Sequence, residues 1–160
     1  MKIAILSDIH GNLFALNSVL EDIKKNNVDK IFCLGDLAMA GPEPNKTIDF
    51  VKEQNWTIVQ GNTDKMIANY SEAVYNAVKE GAPIMANALE NDVKLVSVEN
   101  KEYLKQLPEK LALEREGVKI LLVHGSPRQN NENIFPDLTK EQINEIVTDV
   151  AENIIFCGHT

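Results

Sequence analysis

Lys2-Ile3-Ala4-Ile5-Leu6-Ser7-Asp8-Ile9-His10-Gly11-Asn12 is an apolar run of strand length that stops at a carboxylate and, two residues later, an imidazole. A continuous Ile/Ala/Ile/Leu run fits a strand buried on both faces, as in a parallel sheet. Polar side chains at the C-terminal end of such a strand stand where open α/β sheets place their chemistry. At i, i+2 spacing Asp8 and His10 point the same way if the chain stays extended. An isolated D-x-H is weak evidence of a site, so its weight depends on what recurs downstream.

Working outward, Asn12 is a helix N-cap, and Leu13, Leu16, Leu20 and Ile23 recur at helical spacing to about Asn27. Lys30–Leu34 is a second apolar strand, running into Gly35-Asp36. Asn45–Gln54 reads as a helix and Trp56–Val59 as a third strand, running into Gly61-Asn62. Strand, helix, strand, helix, strand is the signature of βαβ units and a parallel sheet. Lys65 to about Lys79, Ile84–Val96 and Tyr103–Leu107 read as helices, with Ser97 as a cap. Leu111–Arg115 and Lys119–Val123 flank Glu116-Gly117-Val118 as a β-hairpin whose second strand runs into His124. Thr139 and Gln142 form a capping box for a helix to about Val150. Asn153–Cys157 is a last strand, running into Gly158-His159.

All three histidines of the chain therefore follow an apolar strand, as do Asp8, Asp36 and Asn62. Packing does not explain such a set, and parallel strand ends share one rim. Mixed imidazole and oxygen donors suit Zn, Mn, Fe or Co better than Ca or Mg. The donors are too many for one open catalytic metal, and two metals sharing a carboxylate fit better.

Length and composition agree with one domain: 160 residues, 44% hydrophobic and 25% charged, enough chain to bury about 70% of its unfolded surface. A net charge of -8 argues against broad nonspecific binding to nucleic acid or anionic membrane. No apolar run approaches transmembrane length and no signal peptide is evident, so a cytoplasmic protein is expected. Cys33 and Cys157 read as buried, reduced thiols.

In order, Asp8-Ile9-His10, Gly35-Asp36, Gly61-Asn62, His124 and Gly158-His159 resemble the motif set of the calcineurin-like metallophosphoesterases, in the form of the small prokaryotic members. The resemblance covers nearly the whole chain. It implies a layered α/β/β/α fold and a single domain over 1–160, with a helical cap at about 65–107. It also implies two divalent transition-metal ions (Mn, Zn, Fe, Ni or Co). Asp8 and His10 would hold the first, Asp36 would bridge, and Asn62, His124 and His159 would hold the second. A hydroxide bridging the two would attack a phosphomonoester or phosphodiester in line with the leaving group. Asp36, Asn62 and His124 would be its catalytic residues, and Asn62 and Arg128 its substrate contacts. The implied partner is a phosphate-ester small molecule. Self-association and a non-catalytic metal-binding scaffold of the same fold are the open alternatives.

Two departures from the family pattern carry expectations. Thr63 stands where many members have a histidine that serves the leaving group, so slower turnover of poor leaving groups is expected; a positioned general acid contributes roughly 10²–10⁴-fold. Asp64, beside it, is expected to orient a ligand histidine. The family's last motif is G-H-x-H, whereas the sequence reads Gly158-His159-Thr160. The expectation is a C-terminally incomplete version, with further strands to follow and the Asp8/His10 site the weaker of the two.

Overall fold

The opening apolar run is strand β1 (Ile3–Leu6), followed by α1 (Leu13–Lys25), β2 (Lys30–Cys33), α2 (Pro44–Lys52) and β3 (Thr57–Ile58). In the computed structural model, which describes residues 1–159, these strands form a parallel sheet in the order β1-β2-β3. Ile3 pairs with Lys30 and Leu6 with Cys33, so the two strands end together. The Asn12 side chain accepts from the Ala15 N–H at 3.0 Å and starts α1 as expected of an N-cap.

The segment 65–107 differs in detail from its helical reading. Helix α3 (Asn62–Ala68) begins at Asn62 itself, and α4 (Glu72–Gly81) is separate from it. Ser71 is extended and its hydroxyl caps the Val74 N–H, which starts a new helix where periodicity alone suggests one. Helices α5 (Pro83–Leu95) and α6 (Val98–Gln106) follow, the latter capped by Ser97. Ile67, Leu89, Val96 and Leu104 from these helices share one core with Leu16, Cys33, Ile48 and Val51, on the helix-covered side of the first sheet.

A second sheet holds β4 (Lys110–Arg115), β5 (Val118–Val123) and β6 (Ile154–Phe156). β4 and β5 form the antiparallel hairpin; Glu116 (φ 52°) and Gly117 (φ 79°) are both left-handed, as a two-residue turn of this twist requires. β6 runs parallel to β5. Phe32, Leu34 and Val59 meet Ile120 and Leu122 in a second core, which packs the two sheets face to face. Helix α7 (Lys140–Ile146) carries the expected Thr139/Gln142 capping box but stops short of Val150. Its buried Ile146 and Leu121 of β5 line one crevice. The layers run helices, sheet, sheet, helix.

Cys33 is buried, and burial pushes its thiol up to about 12. Cys157 departs from the sequence reading: it is free but exposed, because β6 is an edge strand of its sheet.

Candidate metal centre

The strand ends converge because backbone pairing continues past the strands. The Asp8, His10 and Gly11 N–H groups donate to the carbonyls of Gly35, Asp36 and Leu37, at 3.0, 2.9 and 2.8 Å. In the second sheet Gly158 N–H donates to His124 O at 2.7 Å. The two rims are joined where His159 N–H donates to Asp8 Oδ2 at 3.2 Å. Gly35 is required at its position. Its φ is +92°, and a Cβ there would lie 2.2 Å from the Gly61 nitrogen.

Donor atoms of Asp8, Asp36, His124 and His159 all lie within 4.8 Å of one another. His10 Nε2 stands 3.8 Å from Asp8 Oδ1 and 3.7 Å from Asp36 Oδ2. Asn62 Oδ1 lies 2.8 Å from His124 Nε2. All six residues singled out in the sequence thus meet at one place, four from the first sheet's rim and two from the second's. Arg128 stands apart: it is exposed, and its guanidinium is paired with Glu132.

Hydrogen bonding orients the imidazoles. His124 Nδ1 faces the Leu34 carbonyl at 2.7 Å and His10 Nδ1 faces the Ala38 carbonyl at 3.3 Å. A carbonyl can only accept, so each Nδ1 carries the proton and each Nε2 turns a lone pair inward. His124 Nε2 then faces three further acceptor-bearing atoms: Asn62 Oδ1, His159 Nδ1 at 3.2 Å and Asp36 Oδ2 at 3.4 Å. Acceptors so crowded, with so few hydrogens among them, suit a divalent cation. A proton on His124 is the alternative. Burial opposes the imidazolium, but the hydrogen bond and charge of Asp36 prevail and raise the His124 pKa. Burial likewise opposes the Asp36 carboxylate, yet His124 and the Thr63 hydrogen bonds hold its pKa below the ordinary value.

Two buried carboxylates from the helices hold the segment after β2. Asp64 accepts from the N–H groups of Asp36 (2.8 Å), Leu37 (2.9 Å), Ala38 (3.4 Å) and Gly61 (3.0 Å). This corrects the sequence reading: Asp64 clamps backbone and does not orient a histidine. Burial and the neighbouring Asp36 charge raise its pKa to about 6 against those four donors. Asp92 of α5 accepts from Ala40 N–H at 2.7 Å. Sequence reasoning passed over Asp92, although it lies on the same helix as the buried Ala86 and Leu89. A carboxylate on an inward stripe calls for a partner. The segment needs such restraint because left-handed backbone is costly for residues other than glycine. Asp8, His10, Asp36, Met39, Ala40 and His159 all have positive φ.

Thr63 is buried, and its hydroxyl donates to the Ala38 carbonyl at 3.2 Å while its N–H donates to Asp36 Oδ1 at 3.0 Å. It positions Asp36, and its hydroxyl is committed to backbone. Two large openings reach the cluster, besides a smaller one of about 210 Å³ at Asp8. A cleft of about 780 Å³ at Asn62 is lined by Lys65, Lys105, Arg128 and several side-chain amides together with Glu109, Met66, Val74 and Leu107. A groove of about 670 Å³ at His10 is lined otherwise only by apolar residues.

A sequence model of the calcineurin-like phosphoesterase superfamily domain matches residues 1–160. An uncharacterized protein of Methanocaldococcus jannaschii is 34% identical over 160 residues, 99% of this chain and 61% of its own length. The crystal structure of a metallophosphoesterase from Sphaerobacter thermophilus superposes with a TM-score of 0.75 at 28% identity, over 99% of this chain and 60% of that one. A hypothetical protein from Pyrococcus horikoshii shares the fold, with a TM-score of 0.80 at 23% identity over 97% and 68%. The chain thus spans about three fifths of the length of the first two relatives.

Proposed function

The chain belongs to the calcineurin-like phosphoesterase superfamily, and from that premise we propose that it hydrolyses phosphomonoesters or phosphodiesters at a centre of two divalent transition-metal ions. The observation that carries the reading is the cluster of inward lone pairs at Asp8, His10, Asp36, Asn62, His124 and His159. Asp36 would be the ligand common to both ions, a role supported by its position between His10 and His124. Ions held by these residues would supply Lewis acidity for the phosphoryl oxygens and lower the pKa of water towards neutral. The chain's own residues orient the reaction. Asn62 offers its amide to the phosphoryl group from the first turn of α3. Thr63 and Asp64 fix Asp36, and the Leu34 and Ala38 carbonyls fix the two imidazoles. Segment 65–107 walls both openings and selects the ester group. Arg128 becomes a phosphate contact only if its pairing with Glu132 opens.

Turnover of p-nitrophenyl phosphate or its bis-aryl diester is expected only with Mn, Co, Ni or Zn supplied, and Asp36→Ala abolishes it. Unchanged turnover in that variant rules out the bridging role. A second reading, a non-catalytic metal-binding scaffold, is favoured by Thr63, whose hydroxyl is committed to Ala38. Metal binding with no hydrolysis of any aryl ester is the result that supports it.

A further inference from the structure

The groove at His10 is built with care that an idle surface does not need. One wall is Met39 and Ala40, both left-handed at φ 84° and 64°. The other wall is the first turns of α5, with Pro83, Ile84 and Met85. The walls are tied together by the Asp92–Ala40 hydrogen bond, in which α5 itself supplies the acceptor. Strained backbone persists where the surroundings over-determine it, and it concentrates at ligand clamps. Ile84 is 86% exposed at the mouth, and the floor ends on His10, a member of the donor cluster. A volume of about 670 Å³ suits a small organic group. The second opening, at Asn62, shares no lining residue with the groove and is the more polar of the two: Lys105 and several side-chain amides line it beside Met66, Val74 and Leu107, while Lys65 and Arg128 are paired with Glu109 and Glu132.

We infer that the substrate is a phosphodiester with one apolar ester group, seated in the groove at His10, and one polar group lying in the cleft at Asn62. The inference rests on the phosphoesterase reading and deepens it. A monoester has a single substituent and would leave one of the two openings unused. A phosphoryl group at the cluster with its substituent toward His10 must lay that substituent across Met39, Ala40 and Met85. Burying each methylene there is worth about 0.8 kcal/mol, which is about fourfold in affinity.

The test is calorimetric titration of the manganese-loaded chain with inorganic phosphate and with methyl-, butyl- and octylphosphonate, paired with sedimentation. Affinity is expected to climb about fourfold per methylene until the groove is full. Ile84→Glu combined with Met85→Glu removes that climb, while Phe14→Glu, at an exposed apolar position of α1 outside the groove, retains it. Circular dichroism checks that each variant is folded. p-Nitrophenyl phenylphosphonate, a diester analogue with an apolar arm, is expected to be turned over with at least about tenfold higher kcat/KM than p-nitrophenyl phosphate. A flat chain-length series with phosphate still bound, or a preference for the monoester, overturns this inference alone. A flat series with a dimer that Ile84→Glu dissolves overturns it in favour of a second copy in the groove. Failure to bind phosphate or hydrolyse any aryl ester overturns the phosphoesterase reading, and this inference falls with it.

Discussion

In the proposed reading, His124 would offer the same atom to a proton or to a cation. Its folded pKa is raised above the ordinary 6.5, with burial opposing and Asp36 prevailing. The imidazolium–Asp36 pair therefore stabilises the metal-free chain fully below about pH 6.5, and that contribution is lost as pH climbs through the raised value. A metal ion needs the same Nε2 without its proton. The rise in Tm on adding manganese is thus expected to be small at about pH 6 and to grow towards about pH 8, as followed by differential scanning calorimetry. A rise that shrinks with pH would show that His124 is not displaced from its proton by metal. Thr63 teaches a second lesson at this scale. A threonine in a histidine's place is no partial substitute when its hydroxyl is already bound to Ala38.

At the scale of elements, the segment from Asp36 to Ala40 is the hinge of the design. It leaves β2, carries one ligand and one groove wall, and is left-handed at Asp36, Met39 and Ala40. Its N–H groups at 36, 37, 38 and 40 end on carboxylates of α3 and α5. Asp64→Ala leaves the amides of Asp36, Leu37, Ala38 and Gly61 buried without a partner, at about 1–3 kcal/mol for each group that water cannot reach. Urea denaturation of the metal-free chain is expected to show a loss of about 3 kcal/mol or more, with manganese affinity falling in parallel. Asp64→Asn, which keeps one carbonyl oxygen, is expected to fall between. A loss under about 0.5 kcal/mol, the level of an ordinary surface substitution, would mean that the clamp is not needed.

Across the whole molecule the donors come from both sheets, Asp8 and Asp36 from one and His124 and His159 from the other. A metal ion bound there would tie together two sheets that otherwise meet through Phe32, Leu34, Val59, Ile120 and Leu122. A ligand at a hundredfold its Kd adds about 2.7 kcal/mol, which for a chain of this length raises Tm by roughly 5–10 °C. Chelation should reverse the gain. In the proposed two-metal reading, Asn62, His124 and His159 would join Asp36 at one ion, and Asp8 and His10 would join it at the other. Manganese titration is accordingly expected to resolve a tighter and a weaker event, with Asn62→Ala removing the tighter and His10→Ala the weaker. A single event lost equally in both variants would contradict two sites.

The amino-acid sequence by itself determined what depends on neighbours along the chain. Strand-length apolar runs, helical spacing, the Glu116-Gly117 turn, and the caps at Asn12, Ser97 and Thr139 are local, and each is present. The strand-end placement of Asp8, His10, Asp36, Asn62, His124 and His159 is equally local, so the candidate centre was legible before any coordinate. Tertiary structure decided what depends on closure over long separations. Asp64 finds its amides 26 to 28 residues back, and Asp92 finds Ala40 at 52. No periodicity encodes a buried carboxylate's partner; it is chosen by which loop the packed helices bring within reach. The same closure turned Thr63 inward, left Cys157 exposed, bound Arg128 to Glu132, and set an apolar groove and a more polar cleft at one cluster of donors.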